Sequence, residues 1–297
     1  GMTSIADFAG WPEVLTHLLE RHDLTHDQAR AAMTAILGGS ATPAQLAAFV
    51  VALKAKGESG EEMSGLLEGV LDAGTPVVLP EEVRLRAVDI VGTGGDRSHS
   101  INVSTISALV VAGAGVPVCK HGNRASSSKC GSADLLEALG VAIDVPPAAV
   151  ARCVERAGIG FCLASTYHPA FRHAGPPRRE IGIPTVFNLL GPMANPARVT
   201  RQVIGVANPT VAERMIATLA AHGSRSAWVV HGNGLDELTT TGSSTVLALD
   251  DGHVSRFTVD PVSLGLAPAT AHELTGGDPA ENAAAARRIL AGEHGAH

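Results

Sequence analysis

Aromatic residues are scarce in this chain, at 3% of 297 residues against 45% for the hydrophobic types together. The apolar volume must therefore come from Ala, Val, Leu and Ile, which suits helices packed on a parallel sheet. Lysine is scarcer still: Lys54, Lys56, Lys120 and Lys129 are the complete set. With a formal net charge of −7, the chain has no cationic excess with which to coat a nucleic acid. No apolar run reaches the roughly 20 residues that span a bilayer, and no basic or apolar leader of a secretion signal is visible. We therefore expect no nucleic-acid partner, no membrane partner and a cytoplasmic location. Cys119, Cys130, Cys153 and Cys162 form no C-x-x-C pair and fit no zinc spacing, so they read as reduced thiols. Gly1 ahead of Met2 reads as the remnant of a cleaved tag.

What is present falls into two textures. Up to about residue 80 the chain is punctuated like a helical bundle. Thr25-His-Asp-Gln28, Thr42-Pro-Ala-Gln45 and Ser59-Gly-Glu-Glu62 are capping boxes, and Gly38, Gly57 and Gly74 stand where left-handed C-terminal residues are wanted. Helices are expected near 11–20, 26–37, 43–56 and 60–73. From Arg86, short apolar runs (Ala87–Val91, Val116–Cys119, Val203–Val206, Ala227–His231) alternate with helix-like stretches near 104–114, 132–139, 147–157 and 209–222. That alternation implies an α/β domain with a mainly parallel central sheet flanked by helices. The segment around 168–192, rich in proline and glycine, suggests a return to the helical part. Asp278-Pro279 opens a last helix to about Leu290.

The chemistry concentrates in loops at strand ends. Asp89-Ile-Val-Gly-Thr-Gly-Gly-Asp96 puts Gly92, Gly94 and Gly95 directly after a strand, where bare backbone can approach an anion. Asn102, Ser104 and Thr105 open a helix whose N-terminus adds donors and a positive dipole end. The pattern is neither the dinucleotide fingerprint nor the P-loop. Lys120-His-Gly-Asn-Arg124 follows the next strand at the edge where parallel sheets bind ligands, and Ser126, Ser127, Ser128 and Ser132 add donors. Asp236 and Glu237 are adjacent carboxylates just after a strand, a setting suited to Mg²⁺. A solvated acidic turn is the plain alternative, and the phosphate-type loops favour the metal. Arg178, in the interrupted segment, is a natural fork for a substrate carboxylate.

Together these residues resemble the anthranilate phosphoribosyltransferase family. The resemblance is carried by Gly92-Thr-Gly-Gly-Asp96, Asn102-Val-Ser-Thr105, Lys120-His-Gly-Asn-Arg124, Arg178-Arg-Glu180, Asn188-Leu-Leu-Gly-Pro192 and Gly234-Leu-Asp-Glu-Leu238. It implies a helical domain over 2–82, joined by an inserted segment around 168–192, and an α/β domain over 83–167 and 193–297 that ends short of the usual C-terminus. It also implies homodimerisation through the helical domain and Mg²⁺ dependence. Phosphoribosyl pyrophosphate would be held by Gly92, Gly95, Asp96, Ser100, Asn102, Val103, Ser104 and Thr105. Lys120, His121, Gly122, Asn123, Arg124, Ala125, Ser126, Ser127, Ser128 and Ser132 would complete that site. Ser104, Asp236 and Glu237 would ligate magnesium, while Gly92, His121, Asn123 and Arg178 would hold anthranilate. Lys120, His121 and Arg178 would carry the catalysis: Lys120 facing the leaving pyrophosphate, Arg178 orienting the acceptor, His121 taking the proton lost after attack.

Some positions depart from the family pattern. Arg97 replaces a usual glycine and Ser100 a usual threonine, and Ser165-Thr-Tyr167 and Gly175-Pro-Pro177 differ around the acceptor channel. The helices beyond this C-terminus are expected to matter more for stability than for the ligands named. Two rival readings fit the residues less well. A pyrimidine nucleoside phosphorylase would carry Lys-His-Ser-Thr-Gly-Gly at the first loop. A non-catalytic nucleic-acid-binding relative would have a basic groove and no acidic pair.

Overall fold

The computed structural model describes residues 3–297. Its first four helices, α1 (Gly10–Leu19), α2 (His26–Leu37), α3 (Pro43–Lys56) and α4 (Gly60–Ala73), form the expected bundle. Thr25, Thr42 and Ser59 each accept the N–H three residues on, and Gln28, Gln45 and Glu62 return the bond to the cap backbone. These reciprocal caps satisfy N–H groups that have no partner within the helix. The C-terminal ends differ from the expectation. Gly38 stays right-handed and passes the left-handed position to Gly39 (φ 78°), and Gly74 is extended. Only Gly57 has a positive φ, at 92°. Gly74 is small because a Cβ there would press on the His168 ring at 2.7 Å.

A short helix, α5 (Glu81–Arg84), leads into a seven-stranded sheet. Its strands are β1 (Val88–Gly92), β2 (Val118–Gly122), β3 (Ile159–Leu163), β4 (Arg201–Gly205), β5 (Ser226–Gly232), β6 (Ser244–Asp250) and β7 (His253–Val259). The spatial order is β3-β2-β1-β4-β5-β6-β7, with the first five parallel and the last two antiparallel. β3 and the β6–β7 hairpin were not anticipated, although Asp251-Gly252, both at positive φ, is a turn signal for such a hairpin. β2 also runs further than expected, so Lys120 and His121 lie within a strand rather than beyond it. The remaining helices are α6 (Val103–Gly113), α7 (Ser132–Ala138), α8 (Pro147–Ala157), α9 (Ala164–Tyr167), α10 (Gly175–Ile181), α11 (Phe187–Met193), α12 (Ala212–Ala221) and α13 (Pro279–Leu290).

The segment around 168–192 carries α10 and α11. α10 packs on α3 and α11 on α4, so Phe187, Leu190 and Met193 share one core with Leu66 and Val70. That core continues under the sheet to Ile204, Val229 and Leu249. Ion pairs cross the same junction: Arg214 of α12 with Glu58, and Arg198 with Glu68 at 2.9 Å. The chain turns to one side of β1 for β2 and to the other for β4. The crevice beyond Gly92 and Gly205 is therefore the switch point at which open α/β sheets bind ligands.

Candidate active site

β1 and β4 end side by side at Gly92 and Gly205. Neither position tolerates a side chain. A Cβ on Gly92 would strike the Asp236 carboxylate, and one on Gly205 the Asp236 main chain. Bare strand ends thus let the loop after β5 cross the switch point and deliver its acidic pair there. His231 shapes that loop: Nδ1 donates to the Val206 carbonyl at 2.8 Å, and Nε2 accepts from the Gly234 N–H at 3.3 Å.

Three carboxylates crowd the crevice. Asp236 accepts from the Gly94 N–H at 2.8 Å, and its own N–H donates to Asp96 at 3.3 Å. Burial and the neighbouring Asp96 push Asp236 up to about 7. Burial and Asp236 push Glu237 well above the usual range, against the pull of Lys120. Asp96 goes the other way: burial would raise it, but the Ser98 N–H and hydroxyl, at 2.9 and 2.8 Å, hold it down. Acid left unbalanced in this way favours a divalent cation. Among the described residues, no three His, Cys, Asp or Glu side chains form a ready-made metal cage. The crevice carboxylates are hard oxygen donors of the kind magnesium takes, one or two at a time, together with waters and substrate phosphates.

Around the acids lie the anion-binding parts. The Thr93 N–H donates to the Gly205 carbonyl at 2.8 Å, and Gly94 and Gly95 take φ of 69° and 79°. Arg97 and His99 also adopt positive φ (58° and 52°), a strain that glycine at 97 would relieve. Ser100 pairs with Thr275, closing the loop. Val103, Ser104 and Thr105 form the first turn of α6; the Val103 N–H donates to the Ile101 carbonyl at 2.7 Å, while helix geometry gives those of Ser104 and Thr105 no intrahelical acceptor. Among the described residues the buried Thr105 hydroxyl has no hydrogen-bond partner. Asn102 is already engaged within the chain, with one donor and one acceptor site left over: its Nδ2 donates to the Cys130 carbonyl at 2.9 Å, and its Oδ1 accepts from Asn282 at 3.0 Å. It ties the loop before α7 to α13.

Two cations stand elsewhere than expected. Lys120 is 2% exposed, and its ammonium donates to the Ile90 carbonyl at 2.6 Å rather than pointing into the crevice. Burial lowers its pKa, against the opposing pull of Asp89 and Glu237. Arg124 pairs with Asp134 (3.1 Å) and Glu137 (2.9 Å) of α7. It thereby fastens the loop 123–131, in which Ser126, Ser127 and Ser128 are exposed. The Ala125 and Gly131 N–H groups both donate to Asp134, and Ser132 packs against Gly122.

Beside the crevice opens a cavity of about 550 Å³. One wall is Gly92, Thr93, His121 and Asn123; the other is Phe171, Arg178, Phe187 and Asn188. Arg178 lies 5.2 Å over the Phe187 ring, and among the described residues its guanidinium pairs with no carboxylate. Burial lowers its pKa. His121 meets His168 edge-on at 5.2 Å, and among the described residues its buried Nε2 has no hydrogen-bond partner. Burial, then His168 and Lys120, press His121 down to about 3. Sequence reasoning missed Phe171 and Phe187 here and Asn195 beneath; it takes His168 for a structural histidine, and Asp89 and Thr93 only as members of the glycine-loop motif. Only Asp89, a carboxylate inside the apolar run Ala87–Val91, left a readable signal.

The helical bundle domain of the glycosyl transferase family matches residues 12–74, and that family's a/b domain matches residues 84–297. An anthranilate phosphoribosyltransferase from Acidothermus cellulolyticus is 55% identical, over 98% of this chain and 81% of its own length. The chain belongs to the anthranilate phosphoribosyltransferase family. A solved family member from Thermus thermophilus, 41% identical, superposes with a TM-score of 0.89 over 95% of this chain and 84% of its own. The Saccharomyces cerevisiae member in complex with phosphoribosyl pyrophosphate and Mg is 30% identical. It has a TM-score of 0.76 over 95% of this chain and 77% of its own. Family membership covers both domains, so crevice and cavity lie in matched regions. Among the described residues no helix is long and apolar enough to cross a membrane.

Proposed function

We propose that this chain transfers the phosphoribosyl group from phosphoribosyl pyrophosphate to anthranilate. The products are N-(5-phosphoribosyl)anthranilate and pyrophosphate, the second step of tryptophan synthesis from chorismate. The observation that carries the reading is adjacency: an acidic, glycine-lined crevice opens beside a cavity holding an unpaired guanidinium. The crevice suits the pyrophosphate donor and the cavity a small aromatic carboxylate.

The displacement at ribose C1 passes through an oxocarbenium-like state, so the leaving group's charge must be met and little covalent chemistry is required. Gly92, Gly95 and the first turn of α6 offer N–H groups to the pyrophosphate, and the exposed serines 126–128 can close over it. Magnesium, held by Asp236 and Glu237 with Ser104, would neutralise the leaving pyrophosphate. Lys120, held by the Ile90 carbonyl beneath the crevice, acts on it through the neighbouring Glu237 and Asp89. Anthranilate's amine lone pair is free at pH 7, so it needs orientation before attack. Arg178 supplies that by gripping the carboxylate while Phe187 backs the guanidinium. Alignment of this kind can contribute several of the roughly 7–11 kcal/mol open to ideal proximity. A histidine at about 3 holds a proton poorly at neutral pH. His121 is therefore better suited to orienting the amine through its unpartnered Nε2 than to removing its proton.

A homodimer through the helical domain belongs to the same proposal, supported by Leu19 on α1, 73% exposed, and the exposed Val51 on α3. Free cysteines, with the buried Cys119 and Cys162 sulfurs 3.8 Å apart, fit a reducing cytoplasm. The test is loss of anthranilate fluorescence on adding phosphoribosyl pyrophosphate and Mg²⁺ to folded protein. No loss would overturn the acceptor assignment.

A further inference from the structure

We propose that Asp89 and Asn195 are positioning residues for the acceptor half of the reaction, clamping the wall that carries Arg178 to the strand that carries His121. The proposal rests on the transfer to anthranilate set out above.

Asp89 sits mid-strand in β1 and is 0% exposed. One carboxylate oxygen accepts from the His121 N–H at 3.2 Å, and the other accepts from Asn195 Nδ2 at 2.8 Å. Asn195 is 1% exposed, and its Nδ2 also donates to the Cys119 carbonyl at 2.8 Å. Its Oδ1 accepts from the Ala197 N–H at 2.9 Å. Both hydrogens and the oxygen of this amide are thus used, so its orientation is fixed. Through it, β1, β2 and the segment just after α11 meet at one side chain.

Neither residue lines the acceptor cavity, so neither can touch anthranilate. Both act on groups that do. Asp89 holds the backbone of His121. Asn195 anchors the end of a segment whose earlier residues Arg178, Phe187, Asn188 and Gly191 form the facing wall. One residue earlier, the Ala194 carbonyl lies 2.7 Å from His168 Nε2, and the His168 ring rests edge-on against His121. The two walls of the cavity are therefore registered by directional bonds rather than by packing alone. A purely apolar pair would fill the same space without desolvating a carboxylate. Burial nonetheless pushes Asp89 only to about 6, because Lys120 and these donors favour its charged form.

The test compares Asn195→Ala and Asp89→Asn with wild type. Asp89→Asn keeps the shape but sets an amide donor against a donor. Loss of a bond to a charged group predicts an anthranilate KM raised about tenfold or more, with the phosphoribosyl pyrophosphate KM changed by no more than about twofold. Equal movement of both constants, or of neither, overturns the clamp. Should Asn195→Ala fail to fold, Asn195→Ser retains one donor and predicts the same split with a smaller shift. A second readout needs no turnover: amide hydrogen exchange in residues 118–122 and 187–197 should quicken together in the Asn195 variants. Quickening of one segment without the other refutes the coupling. Coupled exchange in a wild-type protein that leaves anthranilate untouched would support the clamp and count against the transferase reading.

Discussion

Glu62 in the helical domain and Asp236 at the crevice are both buried carboxylates, yet their surroundings differ in kind. Glu62 accepts from the Leu24 N–H at 2.7 Å, the Ser59 N–H at 2.8 Å and the Lys56 ammonium at 3.0 Å. Lys56 in turn reaches Asp23, and these partners hold its pKa above the usual value although burial alone would lower it. Asp236 has one backbone donor, two neighbouring acids and no cation of its own. A carboxylate fully met by its own chain is architecture. One crowded by other acids is a place prepared for something brought from outside.

The largest effect that follows concerns the satisfied cluster. Glu62→Ala takes one of the two carboxylates from Lys56 and leaves the Leu24 and Ser59 N–H groups without their acceptor, which together should cost about 3–5 kcal/mol of stability, read from urea unfolding. Activity per folded molecule should hold. A loss below about 1 kcal/mol, the scale of a surface pair, would erase the contrast. Asp236→Asn should behave in reverse. Transfer should fall by a factor on the order of 10²–10³, while the metal-free melting temperature rises because a repulsion is gone. A melting temperature that falls instead would mean Asp236 is structural. Arg178→Ala belongs with Asp236, since it removes a group that pairs with no carboxylate among the described residues. It should raise the anthranilate KM about tenfold or more, as loss of a charge-assisted pair predicts, and leave the donor KM nearly unchanged. Equal effects on both substrates would refute its role.

The same contrast explains what could be read in advance. α2, α3 and α4 were legible residue by residue because a capping box is written within four positions. The glycine loop and the Asp236-Glu237 pair were legible because each lies at the end of an apolar run. Lys120 was misplaced because β2 extends past Cys119, and only its bond to the Ile90 carbonyl shows where the ammonium goes. The Asp89–Asn195 contact joins residues 106 positions apart, so no local spacing encodes it. β7 was missed because its residues are nearly all exposed and carry no alternating apolar pattern.

Acidity offers a way to sharpen the comparison. Asp236 is raised from 3.8 to about 7 in the fold, so between those values the native state holds a proton that the unfolded chain has lost. Its contribution to stability therefore fades as pH rises from about 4 to about 7. Asp89 acts in the same direction and His121, depressed to about 3, in the opposite one. The difference between wild type and Asp236→Asn removes both, because they titrate in each protein. Wild type should lose stability relative to the variant across that window, and Mg²⁺ with phosphoribosyl pyrophosphate should flatten the trend. A difference independent of pH would show that Asp236 is ionised throughout.

The smallest effect tests whether the two regions are separable at all. Thr42 accepts the Gln45 N–H at 3.1 Å, and Gln45 returns a bond to the Thr42 N–H at 2.9 Å. Thr42→Ala removes half of that box and should cost about 1 kcal/mol, measured as a shift in the urea midpoint. Since α3 packs on α10, which carries Arg178, the variant also probes whether fraying at one helix end reaches the acceptor wall. The capping bond is local and the core between the helices is intact, so both KM values should stay at wild-type levels. A raised anthranilate KM in Thr42→Ala would mean that the helical domain tunes the cavity as well as supporting it.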